Sequence, residues 1–394
     1  MLSASKTRGA LEAKRNSWLL ARERAVRQLG QIDSALAGLA HLSSAEVGER
    51  LAGVAWPGAL PTAEHDRAPG QVIHFPERFA SHEQARAWAL RVMRDQPTFA
   101  ADGSQIAPLA EFALPIAAAQ VGWFANYHRL SGEHEKDLAI EVFVGDELGV
   151  GDRDGGTSHV QTRRYQMEVE ATIAFMERWG DACPKPLCLV DGPLVVSFVG
   201  PSVPRGEQYV GPMSRLLETA ERLQIPLVGY VASSSAYDAL SMLHALGLLR
   251  DLPRLSDAAT MHRLLENWGD RSVLYICARD DDVLRTYKRA DGSSLADQIA
   301  FTYLKTSGTS PPARLELPRW LAEDPVECER VLGLVRADCA VGLGYPYTIE
   351  TADQTAVLGA RDREQFKLLV SEFAARLGTD LRPTPKARSK SRRR

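Results

Sequence analysis

The sequence predicts an α/β domain with a mixed sheet, and three observations carry that prediction. Strand-like segments cluster early, and helical and strand-like segments then alternate along the chain. Two apolar runs each end in Asp-Gly: Thr98-Phe99-Ala100-Ala101-Asp102-Gly103 and Leu187-Cys188-Leu189-Val190-Asp191-Gly192. The chain has 394 residues, 45% hydrophobic and 25% charged, enough to bury a sizeable core.

In chain order, residues 9–40 predict one helix, because Ala25, Leu29, Ile32, Leu36 and Leu39 recur at steps of four and three. Trp18, Leu19 and Leu20 add apolar surface near its start, which suits docking on the same chain or on a partner helix equally. Residues 43–96 are interrupted by Pro57, Pro61, Pro69, Gly70 and Pro76 and read as a connection, with a surface helix over 81–94. The stretch at 97–105 then presents Asp102 at the end of a strand, with Gly103 permitting a sharp turn. Residues 112–126 and 138–144 predict two further strands, the second alternating cleanly. The segment 149–158 is glycine-rich but matches neither a P-loop nor a dinucleotide fingerprint, so no nucleotide cofactor is expected.

Residues 162–179 predict a helix with Tyr165, Val169, Ile173 and Met176 on one face. Then follow the strand ending at Asp191, a run at 195–199 and a helix over 213–223. A strand over 225–231, a helix over 237–249 and strands at 272–278, 314–317 and 340–343 come next. Helices at 351–358 and 363–377 close the domain. Pro193 argues against a tight hairpin at the second Asp-Gly, so both acids belong to strand ends.

The net charge of −3 conceals an asymmetry, since residues 382–394 carry Lys386, Arg388, Lys390, Arg392, Arg393 and Arg394 with no acid. That basic tail is expected to be disordered and to touch phosphates without sequence preference. Charge alone neither supports nor excludes a nucleic-acid substrate. The five cysteines (Cys183, Cys188, Cys277, Cys328, Cys339) form no Cys-x-x-Cys pair, which excludes a cysteine zinc site and a disulfide framework. No apolar run approaches the roughly 18 residues a membrane span needs, and no signal-peptide core is present. A reduced, cytoplasmic protein is expected.

Asp102 and Asp191, far apart in sequence, suggest one acidic site, and hard carboxylate oxygens suit Mg²⁺ or Mn²⁺. Other candidates have plainer explanations. Asp280-Asp281-Asp282 reads as a solvated loop and Asp291-Gly292-Ser293 as a turn. His244 reads as a core residue, Lys305 as an exposed lysine, and Ser233-Ser234-Ser235 lacks a nucleophile-elbow context.

Asp102-Gly-Ser104, Asp191-Gly-Pro-Leu194 and the closing Gly344-Tyr-Pro-Tyr-Thr-Ile-Glu-Thr-Ala-Asp353 occur in an order and spacing that resembles the NurA nuclease family. The resemblance spans about residues 96–375 and implies a ribonuclease H-like mixed sheet flanked by helices. It divides the chain into an N-terminal helix (1–45), a connecting segment (46–95), a NurA-like nuclease domain (96–377) and the basic tail (378–394). It also implies a manganese- or magnesium-dependent nuclease acting on DNA ends in double-strand-break repair. Partners of such a nuclease are DNA, a HerA-type hexameric translocase and a second copy as a homodimer.

By position, Asp102 and Asp191 are the implied metal carboxylates, Tyr345 the family's late tyrosine, and Asp353 stands where many members carry histidine. An acid on the intervening helix completes the implied set, and both Glu168 and Glu170 qualify. At about 100° per residue they flank the Tyr165 stripe on opposite sides, so only one can turn toward the strand ends. Glu168 is favoured. The alternatives are a catalytically inactive NurA-like scaffold, or a phosphohydrolase or RNA nuclease of the same fold.

Overall fold

The computed structural model describes residues 2–109, 112, 114–148, 156–198 and 207–378. The glycine-rich segment 149–155 and the basic tail lie outside these residues. The chain forms two compact units. The first takes Met1–Glu77, Val231–Asp280 and Asp297–Leu315, and the second Arg78–Tyr230, Asp281–Ala296 and Glu316–Arg394.

Eleven strands occur among the described residues: β1 (Gly58–Pro61), β2 (Val72–Ile73), β3 (Thr98–Ile106), β4 (Ile116–Asn126), β5 (His134–Val144), β6 (Leu187–Asp191), β7 (Leu227–Val231), β8 (Arg271–Ser272), β9 (Tyr275–Ala278), β10 (Ile299–Leu304) and β11 (Ala313–Pro318). In the second unit β7, β6, β3, β4 and β5 lie side by side. The β3–β4 and β4–β5 pairs are antiparallel, and β3–β6 and β6–β7 are parallel. This is the mixed α/β architecture that the sequence predicts. In the first unit β1 pairs β9, β9 pairs β10, and β2 pairs β8, all antiparallel.

Alternation along β3 assigns its residues to two faces. Phe99 stacks on Phe175 of the Thr157–Arg178 helix, with ring centroids 4.1 Å apart, so the odd-numbered residues face that helix. Thr98 meets Thr348 of the Tyr347–Ala356 helix at 2.9 Å, and Ser104 accepts from the Leu358 amide, so the even-numbered residues face the opposite side. Leu187, Cys188, Leu189, Met213 and Leu216 complete this unit's core and are all fully buried.

Several elements differ from expectation. The predicted helix over 9–40 is two helices, Ala4–Glu12 and Arg15–Leu39. Only Ile32, Ala35 and Leu39 of the second are buried, and Trp18 stays 70% exposed. Residues 340–343 are not a strand: Ala340 and Val341 end a buried helix, Pro325–Val341. Strand β3 does not turn at Gly103 but continues to Ile106, paired throughout with β4.

Candidate active site

The parallel register of β3 and β6 sets the site. Thr98, Phe99 and Ala100 pair with Leu187, Cys188 and Leu189, a constant offset that, extended two residues, sets Asp102 opposite Asp191. The β3–β6 pairing stops at Ala100 and Leu189, so each aspartate lies just past the shared ladder while its other edge stays paired, Asp102 with Gly122 of β4 and Asp191 with Tyr230 of β7. Asp191 is the last residue of β6, and Gly192 after it takes φ +135°, a conformation that a side chain strongly disfavours.

Gly103 has a spatial reason for being glycine. A Cβ there would stand 2.2 Å from Glu168 Oε1 and 2.6 Å from Arg164 Cγ. The bare backbone thus lets Glu168, from the helix on the odd-numbered face, approach an aspartate that belongs to the even-numbered face. Asp102, Glu168 and Asp191 together line a narrow cleft of about 20 Å³ with Tyr165 and Thr172. Glu170 points elsewhere: it pairs with Arg163 at 2.9 Å, and Arg163 in turn holds Glu141 at 2.6 Å, in a separate groove.

The remaining two residues arrive from beyond the Pro325–Val341 helix. The Tyr345 hydroxyl donates to Asp191 Oδ1 at 2.7 Å. Asp353, on the Tyr347–Ala356 helix, comes within hydrogen-bonding reach of Asp102. That helix is seated by Asp338, which accepts from the Thr348 amide at 3.0 Å, and by Gln120, which donates to the Ala356 carbonyl at 2.9 Å. The structure therefore gathers Asp102, Glu168, Asp191, Tyr345 and Asp353 in one place and leaves Glu170 outside.

Burial, with the neighbouring Asp353 and Asp191 adding to it, raises the Asp102 carboxyl to about 6 against the pull of the Gly103 amide. Burial raises Glu168 to about 7, with Arg164 opposing and Asp102 and Asp191 reinforcing the rise. Burial, then the bond to Asp191, raises the Tyr345 hydroxyl, which therefore stays a donor. Among the described residues one cation pairs with any of these four acids: Arg164, whose guanidinium donates to Glu168 at 2.6 Å and to the Gly103 carbonyl at 3.0 Å. Such a surplus of hard carboxylate oxygen fits a divalent cation by donor chemistry and by charge. As placed, Glu168 is engaged by Arg164 and Asp191 by Tyr345, and among the described residues no three His, Cys, Asp or Glu side chains converge on one ion.

The other sequence candidates have structural roles. Asp281 accepts from Ser197 and from the Val283 amide, and Asp291 from the Ser293 amide, so both shape turns. Ser234 accepts from the Ala236 amide. Two expectations are corrected: Lys305 is buried and donates to the Leu265 carbonyl at 2.6 Å, while His244 is exposed and bonds the Leu249 carbonyl. Lys305 can lie inside because a carbonyl satisfies its ammonium. The role of Arg164 was missed from sequence; its signal was the i,i+4 spacing to Glu168.

Residues 97–358 match the NurA domain family model. Among solved structures, the NurA nuclease from Sulfolobus solfataricus is 13% identical, with a TM-score of 0.47 over 71% of this chain and 85% of that one. A NurA structure with manganese is 11% identical, TM-score 0.42, over 71% and 89%. A NurA structure bound to dAMP and manganese is 11% identical, TM-score 0.37, over 71% and 88%. No curated protein matches the chain. Among the described residues no helix is long and apolar enough to cross a membrane.

Proposed function

The chain belongs to the NurA domain family, and from that premise we propose that it is a metal-dependent DNA nuclease hydrolysing phosphodiester bonds at DNA ends. The observation that carries this reading is the matched positions of Asp102 and Asp191, joined in one cleft by Glu168, with Asp353 within hydrogen-bonding reach of Asp102. Phosphodiester hydrolysis gathers negative charge on the attacking and leaving oxygens, so a cluster of acids is intelligible only where cations intervene. Asp102, Glu168, Asp191 and Asp353 would hold Mn²⁺ or Mg²⁺, in a two-metal arrangement. Bound there, the metal supplies charge stabilisation to the phosphate and lowers the pKa of the attacking water.

The chain's own residues do the positioning. Tyr345, neutral and donating to Asp191, fixes that carboxylate's rotamer and leaves its second oxygen to the ion. Arg164 holds Glu168 in the cleft and sits where a substrate phosphate would approach.

We further propose that the protein works in double-strand-break repair as a homodimer, in the cytoplasm, with a HerA-type hexameric translocase as partner. Self-association is supported by β5, an edge strand of the second unit, whose Leu138, Ile140, Val142 and Val144 are 42–49% exposed on one face.

The test is incubation with end-labelled single- and double-stranded DNA and RNA in Mn²⁺, Mg²⁺ or EDTA. Cleavage of DNA in metal and none in EDTA is expected. Cleavage that persists in EDTA refutes metal dependence, RNA-only cleavage reassigns the substrate, and no cleavage of any substrate leaves the inactive scaffold.

A further inference from the structure

A groove of about 560 Å³ opens beside the acid cleft and shares a wall with it. Tyr165 lines both, and Gly103, next to Asp102, lines the groove. Its chemistry differs from that of the cleft. Where the cleft is acidic, the groove carries Arg164, Arg363, Phe198, Tyr165, Tyr209 and Gln105 and no carboxylate.

The aromatic side is built and not incidental. Phe198 is 61% exposed, yet its ring stands edge-on to Tyr209 at 5.7 Å. Tyr209 packs on Tyr165 at 4.9 Å, and its hydroxyl accepts from Thr162 at 3.1 Å. A large apolar ring held toward water by a second, anchored ring is a stacking platform in want of a flat partner.

The opposite side supplies charge. Arg363, from the Ala360–Arg376 helix, is exposed, and among the described residues its guanidinium makes no ion pair or hydrogen bond. Gln105 lines the same wall as a neutral polar side chain. A flat π-face and a free cation in one groove, beside a cluster of acids, together fit the base and phosphate of one nucleotide.

We infer that this groove holds an unpaired terminal nucleotide of the DNA strand whose adjoining phosphate lies at the acids. The base stacks on Phe198, and Arg363 draws in a flanking phosphate that the acid cleft alone would repel. A base within a duplex is already stacked and paired, so it must leave the helix to use this platform. The groove therefore selects frayed or single-stranded ends. This inference rests on the nuclease reading for its substrate, but its test does not depend on cleavage.

The experiment measures equilibrium binding of fluorescein-labelled 12-nucleotide single strands by anisotropy, in EDTA and again in Ca²⁺, across a salt series. The strands carry either normal ends or one abasic end, 5′ or 3′. The full-length wild type should bind the normal strand about tenfold tighter than the strand abasic at one end. Phe198→Ala should erase that difference and Phe198→Trp keep it. Arg363→Ala should weaken both strands alike and lower the salt slope by about one phosphate contact. Equal binding of normal and abasic strands by the wild type, or discrimination that survives in Phe198→Ala, overturns the proposal. If the wild type discriminates ends but cuts no nucleic acid in Mn²⁺, the groove stands and the nuclease reading falls.

Discussion

Each compact unit gathers a cluster of charges, buried in the first and partly open to solvent in the second, and the two clusters are composed differently. In the first unit Asp238 meets Arg279 at 2.6 Å and Arg314 at 2.8 Å, and Arg314 also stacks over the Phe301 ring at 3.8 Å. Asp257 beside them accepts from the Ala239 and Leu240 amides at 2.9 and 3.0 Å and from the Tyr303 hydroxyl. Two acids there are answered by two arginines and by backbone donors. In the second unit, among the described residues, the one ion pair made by Asp102, Glu168, Asp191 and Asp353 is that of Glu168 with Arg164. A balanced cluster holds a fold together, whereas an unbalanced one is kept only if something outside the chain completes it. The contrast yields opposite responses to mutation.

The largest expected effect falls on the unbalanced side. Asp102→Ala and Asp191→Ala should each reduce Mn²⁺-dependent cleavage by about 10³-fold or more, since several kcal/mol of charge stabilisation is lost at about 1.4 kcal/mol per decade. In EDTA their melting temperatures should hold or rise, because removing one acid relieves repulsion. Wild-type rates in either variant, or a collapse of melting temperature, would erase the distinction between the clusters.

Next in size is the helix acid. Glu168→Gln should lower cleavage by about 10²-fold, by the same charge argument, and Glu170→Gln should leave it within about threefold, since an exposed pair contributes at most about 1 kcal/mol. A Mn²⁺ titration of both on one substrate decides between them. Equal, near-wild-type rates mean that this helix supplies no ligand. Gly103→Ala belongs with Glu168→Gln, because its Cβ would displace the Glu168 carboxylate and the Arg164 stem. Both are flexible side chains, so cleavage should fall while urea unfolding changes by less than about 1 kcal/mol.

On the balanced side, Arg314→Met should cost about 1.5–3 kcal/mol in urea unfolding, since Asp238 keeps Arg279 but loses one charged hydrogen-bond partner. Its effect on cleavage per folded molecule should be small. Loss smaller than about 1 kcal/mol would show that the first unit's cluster is as tolerant as a surface pair.

The smallest effect concerns a buried acid answered by the amide and the side chain of Thr348. Burial raises Asp338 to about 7, against the Thr348 amide that it accepts from. An acid whose folded pKa lies above its unfolded value binds more protons when native, so it makes stability fall as pH rises from about 4 to about 7. Asp338→Asn should therefore show a less negative slope of unfolding free energy against pH over that window. Parallel slopes in variant and wild type would show that Asp338 does not titrate there.

What the sequence revealed, and what it hid, follows from periodicity. Asp102 and Asp191 were legible because each ends an apolar run, and Glu168 because an amphipathic helix fixes which flank an acid occupies. The turn at Gly103 was misjudged because a glycine opened for an approaching side chain looks, in one dimension, like a glycine opened for a bend. The Pro325–Val341 helix was missed because it is buried on nearly every side, with Val331, Leu332, Leu334, Val335, Ala337 and Cys339 all inside, so no stripe remains. Its available signal was the cap, Asp324 accepting from the Val326 and Glu327 amides ahead of Pro325. Strand β10 was lost similarly, since all six of its residues are buried and nothing alternates. The groove beside the cleft gathers Gln105, Phe198, Tyr209 and Arg363 from distant segments, a juxtaposition that no local pattern records.

The register between β3 and β6 also limits how this chain can change length over evolution. A single inserted or deleted residue between Thr98 and Asp102, or between Leu187 and Asp191, would shift one acid by a strand position and turn it to the other face of the sheet. The stretch from Ile106 to Leu187 does not set that register, but β4, β5 and the helix bearing Glu168 are themselves held by pairing and packing, which leaves the connections between them free to vary. Insertions and deletions among descendants of this sequence should therefore collect in the connections between these elements and spare the short approaches to the acids.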